Sequence, residues 1–240
     1  MATTRINLWS GPRNISTALM YSFAQRPDTL VFDEPLYAHY LLSTGIEHPG
    51  KPEILATMEN NGQRVVDNII LGDFGKSVLF FKQMTHHLVN LSFNFLHLTR
   101  HLILIRNPQK VLFSYGKVIE KPTLLDIGIK QSFDLVQHLQ QHKIPCTIVD
   151  SDTILQNPEK TLQLICQEMD IDFDPNMLQW KKGAIAQDGV WAKYWYANVH
   201  QSMGFEPYVE KTISLPPHLQ SIYQQAKPYY NSLQQIALIN

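Results

Sequence analysis

The chain has 240 residues, a formal net charge of −1 and an apolar content of 44%. This length suits one large domain, and the apolar residues are numerous enough to fill its core. The balanced charge excludes the global basic field that attracts nucleic acid, but it leaves room for a local basic pocket that binds a small anion.

The two cysteines, Cys146 and Cys166, are not part of a CxxC motif. This pattern indicates free thiols in a reducing compartment, not a disulfide framework or a zinc site. The N-terminus lacks a basic segment followed by an apolar stretch, and no apolar run reaches the roughly 18 residues of a membrane span. We therefore expect a cytoplasmic protein without a membrane span.

The first part of the chain predicts three strands and one helix. A strand at 6–9 meets the breaker cluster Ser10-Gly11-Pro12. Further strands are predicted at 30–32, ending at Asp33-Glu34-Pro35, and at 78–81. Between the first two strands, apolar spacing typical of one helix face joins Ile15, Ala18, Leu19, Ser22 and Phe23.

The second part predicts two more strands, at 102–105 and 147–149. The first of these has the continuous apolar character of a parallel strand that is buried on both faces. A helix should begin at Pro108 and continue through Val118, and one long helix should span 125–142. Another helix should follow Pro158, and the last, around 219–226, should be kinked or interrupted by Pro228.

Strands that alternate with helices predict an α/β fold for residues 1–240 as a single domain. Its central, mostly parallel sheet should carry helices on both faces. Ligands of such sheets bind outside the carboxyl ends of the strands. Four segments follow predicted strand ends: 10–17, Asp33-Glu34, His86-His87 and 106–114.

The segment from Trp9 to Thr17 runs from a strand into a helix. A helix N-terminus offers unpaired N–H groups and partial positive charge to a phosphate or sulfate, and Arg13, Ser16 and Thr17 add a cation and two hydroxyl groups. Simple helix capping by Asn14 or Ser16 is the alternative. The lysine of a GxxxxGK[ST] loop is missing, and no GxGxxG fingerprint occurs.

The run Pro12-Arg13-Asn14-Ile15-Ser16-Thr17 resembles the phosphosulfate loop of the sulfotransferase superfamily, Pro-Lys/Arg-Ser-Gly-Thr-Thr. The resemblance implies the P-loop-like sulfotransferase fold. It also implies that residues 13–17 bind the 5′-phosphosulfate of 3′-phosphoadenosine 5′-phosphosulfate (PAPS). Ile15 stands where the family usually has glycine, so a side chain occupies the turn that approaches the sulfate.

Two later segments extend the resemblance. Arg106, at a strand end, and Ser114, eight residues on in the next helix, match the family's pair that binds the 3′-phosphate of the donor. Lys181-Lys182-Gly183, followed by Asp188-Gly189-Val190-Trp191, is similar to the family's late Arg-Lys-Gly loop, which closes on the same phosphate. A solvated lysine pair is the alternative interpretation of Lys181 and Lys182. The segment from Ile148 to Pro158 is similar to a family element that we expect to be structural.

A base must take the acceptor proton, and two candidates remain open. The resemblance to bacterial carbohydrate sulfotransferases favours Glu34, whereas cytosolic sulfotransferases use a histidine that corresponds to His86 or His87. Lys82 is a weaker candidate for contact with the sulfonate. The aromatic cluster formed by Trp191, Tyr194, Trp195 and Tyr196 either walls an acceptor pocket or belongs to the core, and we expect Trp195 in the core.

These patterns predict a sulfotransferase that moves a sulfonate from PAPS to a hydroxyl or amine of a small-molecule acceptor. No metal is expected, and the acceptor is an alcohol, phenol, amine or sugar. Two alternatives stay open: a small-molecule kinase of the same architecture, and a nucleotide-binding protein without catalysis.

Overall fold

The computed structural model describes residues 3–116, 119, 122–210 and 212–238; Val118 lies outside these residues. Five strands form one sheet in the order β2-β3-β1-β4-β5, and every neighbouring pair is parallel. This confirms the predicted fold class. The strands are β1 (Thr4–Ser10), β2 (Thr29–Asp33), β3 (Val78–Met84), β4 (Arg100–Ile105) and β5 (Cys146–Asp150).

Helices connect the strands and cover both faces of the sheet. The α-helices before β4 are α1 (Ser16–Ala24), α2 (Tyr37–Thr44), α3 (Lys51–Thr57) and α4 (Gly62–Val65), the last continued by a π-helical turn at Val66–Ile70. Those after β4 are α5 (Pro108–Tyr115), α6 (Leu124–Ile127), α7 (Ile129–Gln141), α8 (Ser151–Gln156), α9 (Pro158–Glu168), α10 (Ala192–Trp195), α11 (Ala197–Gln201) and α12 (Pro217–Gln234). Short 3₁₀ helices lie at Thr85–His87, Asn94–Leu98 and Pro175–Leu178.

The core lies on both faces of the sheet because the side chains of each strand alternate between them. On one face, Ile6 and Leu8 of β1 pack with Leu19 of α1 and with α9. On the other face, Trp9 packs with α7 and α12. Within the described residues, no helix is long and apolar enough to cross a membrane.

The predicted long helix at 125–142 is wrong, because it is divided into α6 and α7 at Gly128. This glycine has a φ of 72°, in the left-handed region that ends helices. It also packs directly on Gly11, so that a Cβ added to Gly128 would lie 2.9 Å from the Gly11 Cα. The close approach of these two backbones seats the loop after β1 against the α6–α7 junction.

The predicted interruption at Pro228 is also wrong, because α12 continues through this residue to Gln234. Pro228 lies on the exposed side of the helix, where water can bond the backbone carbonyl that the missing N–H leaves free. Buried residues on both sides of it, Ala226 and Tyr230, hold the helix against the core. Tertiary packing therefore overrides the local preference of proline.

Candidate active site

A cleft of about 760 Å³ opens along the carboxyl edge of the sheet. Residues that follow or end all five strands line it, including Arg13 after β1, Glu34 after β2, His86 after β3, Arg106 after β4 and Asp152 after β5. Because β1 is the central strand, its loop divides the cleft into a half on the β4–β5 side and a half on the β2–β3 side. The five loop residues predicted to bind the donor, 13–17, all line the cleft.

The loop after β1 is held by polar contacts to β4 and to the first residue of α8. The buried Asn14 side chain donates its Nδ2 hydrogen to the Leu104 carbonyl at 3.0 Å, and Ser151 donates to the Asn14 carbonyl at 3.1 Å. No side chain caps the N-terminus of α1. The capping interpretation for Asn14 is therefore wrong, and α1 begins at the cleft, which Ser16 and Thr17 line, without a side-chain cap on its first amides.

Ile15 keeps the backbone conformation that glycine would supply at its position. Its φ of 58° lies in the left-handed region, which is an outlier for a β-branched residue. The side chain packs against the core beneath α1. The substitution therefore preserves the shape of the turn and carries local backbone strain.

Arg13, Arg106 and Ser114 meet on the β4–β5 side of the loop. Arg13 donates from Nε to the Ser114 hydroxyl oxygen at 3.0 Å, and Arg106 donates from Nη1 to the Arg13 carbonyl at 2.6 Å. The buried Nε of Arg106 has no partner among the described residues. The structure thus brings together two guanidinium groups and a hydroxyl, although Arg13 and Ser114 are 101 residues apart in the sequence.

Sequence reasoning missed a second polar group on this side. Lys110 bonds Asp152 at 2.5 Å and the Tyr208 hydroxyl at 3.3 Å, and all three residues line the cleft. Tyr208 belongs to the segment 204–209, which also walls this half. The position of Lys110 on the helix after Arg106 was the only sequence signal for it, since Asp152 and Tyr208 come from distant elements.

The structure places Lys181, Lys182 and Gly183 outside the cleft, contrary to the predicted contact with the 3′-phosphate. Both lysines are exposed. Their segment pairs with residues 200–204 instead: Gly183 donates to the His200 carbonyl at 2.9 Å, and Trp180 donates to the Met203 carbonyl at 3.1 Å. That pairing keeps the two lysines out of the cleft, whereas the paired segment continues into the cleft wall at 204–209.

A buried ion network occupies the β2–β3 side. Lys82, which is 1% exposed, donates to Asp33 Oδ1 at 2.8 Å, to Glu34 Oε1 at 2.5 Å and to the Tyr196 hydroxyl at 2.7 Å. All three protons of the ammonium group are committed. Burial alone would lower the pKa of Lys82, but the two carboxylates raise it well above its usual value.

Glu34 is held with one oxygen in this network and one outside it. Its Oε1 accepts from Lys82, whereas Oε2 lies 3.9 Å from Nε2 of His87. Burial raises the pKa of Glu34, against the opposing effect of Lys82. The residue has a φ of 46°, in the left-handed region, so the backbone turns sharply as β2 ends.

Asp33 joins the late segment of the chain to the sheet. It accepts from Lys82, from the Tyr196 hydroxyl at 2.8 Å and from the Gly189 amide at 3.0 Å. Asp188 in turn accepts from the Tyr21 hydroxyl at 2.6 Å. The Asp188-Gly189 pair singled out by sequence thus docks the segment that brings Trp191 and Tyr196 to the cleft.

His86 and His87 both line the β2–β3 half. Burial, together with His48, lowers the pKa of His86 to about 4, and burial lowers that of His87 well below its usual value. Both rings are therefore neutral at pH 7. His87 is stacked on Tyr37 and Tyr40, with ring centroids 4.9 and 4.7 Å apart.

The aromatic residues of the late segment divide between core and cleft. Trp191 and Tyr196 are buried and also line the cleft. Trp195, predicted for the core, is half-buried: it packs against the core cluster that contains Trp191 and Tyr196, and it also lines the cleft. Tyr194 is 47% exposed and lies outside the cleft, next to Gly50. Tyr194 and Trp195 are consecutive in α10, and successive side chains of a helix point in different directions, so only one of the two reaches the cleft.

Five further residues of this half were missed by sequence reasoning: Tyr37, Tyr40, His48, Tyr115 and Asp126. The first two follow Glu34 by three and six residues on α2, a spacing that could have placed them near the strand end. The others come from loops or helices whose approach only the tertiary fold determines.

A family model described as a sulfotransferase domain matches residues 4–237 of the chain. Two curated relatives from Arabidopsis thaliana, branched-chain-amino-acid aminotransferase-like proteins 1 and 2, are 40% and 39% identical over 229 residues. The match covers 95% of this chain and 41% of each relative, so the chain spans about two-fifths of their length.

Solved structures with the same fold include two sulfotransferase domains, one from the curacin biosynthetic pathway and one from the olefin synthase of Synechococcus PCC 7002. Their TM-scores are 0.54 and 0.55 at 15% and 16% identity; each match covers 94% of this chain, and 98% and 95% of theirs. A sulfotransferase from Alicyclobacillus acidocaldarius has a TM-score of 0.57 at 10% identity, covering 98% of this chain and 96% of its own. At these identities the likeness shows a shared fold.

Proposed function

Because the chain belongs to the sulfotransferase family, as the match of the sulfotransferase domain across residues 4–237 shows, we propose that it transfers a sulfonate from PAPS to a hydroxyl or amine of a small molecule. One arrangement supports this most: the loop after β1 separates a cationic half of the cleft from a half that contains a buried carboxylate. We call these the donor half, around Arg13, Arg106 and Ser114, and the acceptor half, around Glu34 and Tyr37.

The donor half fits a nucleotide with phosphate groups at two positions. The uncapped amides of α1 and the hydroxyls of Ser16 and Thr17 suit the 5′-phosphosulfate. Arg106 has a buried Nε without a partner among the described residues, and Ser114 keeps its own hydroxyl proton free to donate. These groups suit the 3′-phosphate, to which guanidinium binds with charge-assisted hydrogen bonds.

The acceptor half offers one group suited to take a proton. Glu34 Oε2 is the carboxylate oxygen that Lys82 leaves free, and the raised pKa of Glu34 brings its basicity nearer to neutral pH. His86, with a pKa near 4, is a weaker base. In the proposed transfer, the acceptor oxygen or nitrogen forms a bond to sulfur as the bond from sulfur to the 5′-phosphate breaks; the acceptor proton goes to Glu34, and 3′,5′-adenosine bisphosphate leaves.

The name of the plant relatives suggests aminotransferase chemistry, but the lysines of this cleft do not favour it. A Schiff base requires a neutral lysine amine. The lysines among the described cleft residues are Lys82 and Lys110; both are ion-paired to carboxylates that raise their pKa. We therefore do not propose aminotransferase chemistry for this cleft.

The experiment that tests the proposed function compares ligand-induced shifts in melting temperature and then turnover. We expect 3′,5′-adenosine bisphosphate to stabilise the protein and ATP with Mg²⁺ to leave it unchanged, because only the first presents the two separated phosphate groups. The reverse result would favour a kinase. Stabilisation without sulfonate transfer to any member of an alcohol, phenol, amine and sugar panel would favour a binding protein.

Replacing the cation of the loop should weaken donor binding and turnover together. We expect Arg13→Ala to lose about 1.5–3 kcal/mol of donor affinity, the usual contribution of a charged hydrogen bond. Donor Kd and kcat/KM report this loss. Arg64→Ala, which changes an exposed arginine on α4, is the matched control. Unaltered donor affinity in Arg13→Ala would contradict the assignment of the loop.

Removing Arg106 should weaken 3′,5′-adenosine bisphosphate more than adenosine 5′-phosphate, since only the first has a 3′-phosphate. The contact from Arg106 to the Arg13 carbonyl means that Arg106→Ala also loosens the loop, so both ligands should lose some affinity. Ser114→Ala keeps that backbone contact, although it removes the acceptor of the Arg13 Nε hydrogen bond, and it should show the same selectivity. Calorimetric Kd values measure it, and equal weakening of both ligands in both variants would assign these residues to the loop alone.

A further inference from the structure

The acceptor half combines carboxylate groups with an aromatic lining. Two carboxylates line it, Glu34 and Asp126. The one lysine that lines it, within the described part of the chain, is Lys82, whose charge is balanced by Asp33 in the buried network. Since the lowered pKa values of the histidines keep them neutral at pH 7, this half carries net negative charge.

Asp126 lies at the opposite wall of the half from β2, at the end of α6. Its Oδ2 accepts from the amide and hydroxyl of Thr123, which caps the helix and fixes the carboxylate in place. Oδ1 accepts no hydrogen bond from the described residues. Burial raises the pKa of Tyr40 and of Tyr115 most, and the negative charge of Asp126 is the second cause. Asp126 therefore lies close enough to both tyrosines for its charge to act on them.

Between the two carboxylates, the walls are aromatic faces. Tyr37 stacks on His87 and meets Trp191 edge to face, with centroids 5.0 Å apart, and Tyr40 meets His86 at 5.1 Å. Such a lining suits a flat apolar body. Among the described cleft residues, the nearest cation outside the Lys82 network is Arg13 of the donor half, whose charge acts on Tyr115.

The lining of this half also includes a buried polar group. His87 is 1% exposed, lines the cleft, and has an Nδ1 without a hydrogen-bond partner among the described residues. Orphaned buried nitrogens are rare in folded proteins, and at a cleft wall they point to a polar ligand group. The half therefore combines an aromatic slot, an unpaired imidazole nitrogen and an excess of negative charge.

We propose that the acceptor is a flat alcohol or phenol that also carries a protonated amine, with its hydroxyl at Glu34 and its ammonium group at Asp126. This rests on the proposed function, because it takes Glu34 as the site of the transferred sulfonate's acceptor. The excess carboxylate charge attracts the ammonium group and repels a carboxylate at the same position.

Three phenols of nearly equal shape test the proposal: tyramine, which is cationic; 4-propylphenol, which is neutral; and 4-hydroxyphenylpropionate, which is anionic. Their Kd values are measured by calorimetry on the full chain saturated with 3′,5′-adenosine bisphosphate, and their turnover with PAPS in parallel. We expect tyramine to bind about tenfold more tightly than 4-propylphenol, and the anion to bind weakest. Asp126→Asn keeps an oxygen for the Thr123 cap, and it should bring the ratio of the 4-propylphenol Kd to the tyramine Kd close to one.

The matched control is Asp134→Asn, which removes an exposed carboxylate of α7 that pairs with Lys130 away from the cleft; it should keep the tyramine preference. Equal or weaker binding of tyramine, binding of none of the three phenols, or an undiminished preference in Asp126→Asn would overturn the proposal. Preference for tyramine with no sulfonate transfer to any of the three phenols would instead overturn the proposed function, and the site would then bind a phenolic amine without reacting with it. Transfer to 4-propylphenol without preference for tyramine would support the proposed function and overturn the inferred acceptor class.

Discussion

Glu34→Gln is expected to reduce kcat by about 10²–10⁴ while donor binding is retained, because a general base typically contributes a factor of this size. Glutamine keeps the shape of the side chain and an oxygen that accepts from Lys82, so the buried network persists. What it loses is the proton acceptor at Oε2. Single-turnover rates and donor Kd, measured on the same preparation, separate the two effects.

His86→Gln is the comparison that decides which group is the base. If His86→Gln loses turnover while Glu34→Gln keeps it, the imidazole takes the proton and the assignment of Glu34 is wrong. If neither variant slows, the acceptor proton goes to another group.

The pH dependence of kcat/KM gives an independent criterion. A base must be ionised, so activity falls as the pH drops through its pKa. Burial raises the pKa of Glu34 above the usual glutamate value, which places the acidic limb above that value. A limb near pH 4 would instead indicate His86. The limb should vanish from the residual activity of Glu34→Gln.

Lys82→Met is expected to cost about 3–5 kcal/mol of unfolding free energy, because it leaves two buried carboxylates without their shared cation. Asp33 and Glu34 are 8% and 5% exposed and cannot recover hydration. For a chain of this size, the loss corresponds to a fall in melting temperature of roughly 10 °C. Thermal and urea unfolding measure it.

Lys193→Met provides the matched control, since Lys193 pairs with Glu53 at 2.6 Å on the exposed surface. It should leave the melting temperature nearly unchanged, because exposed ion pairs contribute little. The deficit of Lys82→Met should also shrink as the pH falls, because protonation of the orphaned carboxylates removes their buried charge. A small deficit that is independent of pH would mean that water replaces the ammonium group.

The sequence by itself determined the strands and the place of the site. Each of the five apolar runs became a strand, and Glu34 and Arg106 follow strand ends whatever the strand order. These features are local: continuous apolar character specifies a buried strand, and parallel strands present their carboxyl ends at one edge. The loop from Pro12 to Thr17 was recognisable for the same reason, since its residues are contiguous.

Only the tertiary structure decided which distant side chains share that edge. The strand order puts β1 between β3 and β4, and so separates the Arg106 side from the Glu34 side. The pairing of 179–183 with 200–204 removed Lys181 and Lys182 from the cleft. Asp126 entered it because Gly128 ends α6 against Gly11. Each outcome depends on packing between segments far apart in the chain, where charge, burial and backbone contact are set together and leave no periodic signal in the sequence.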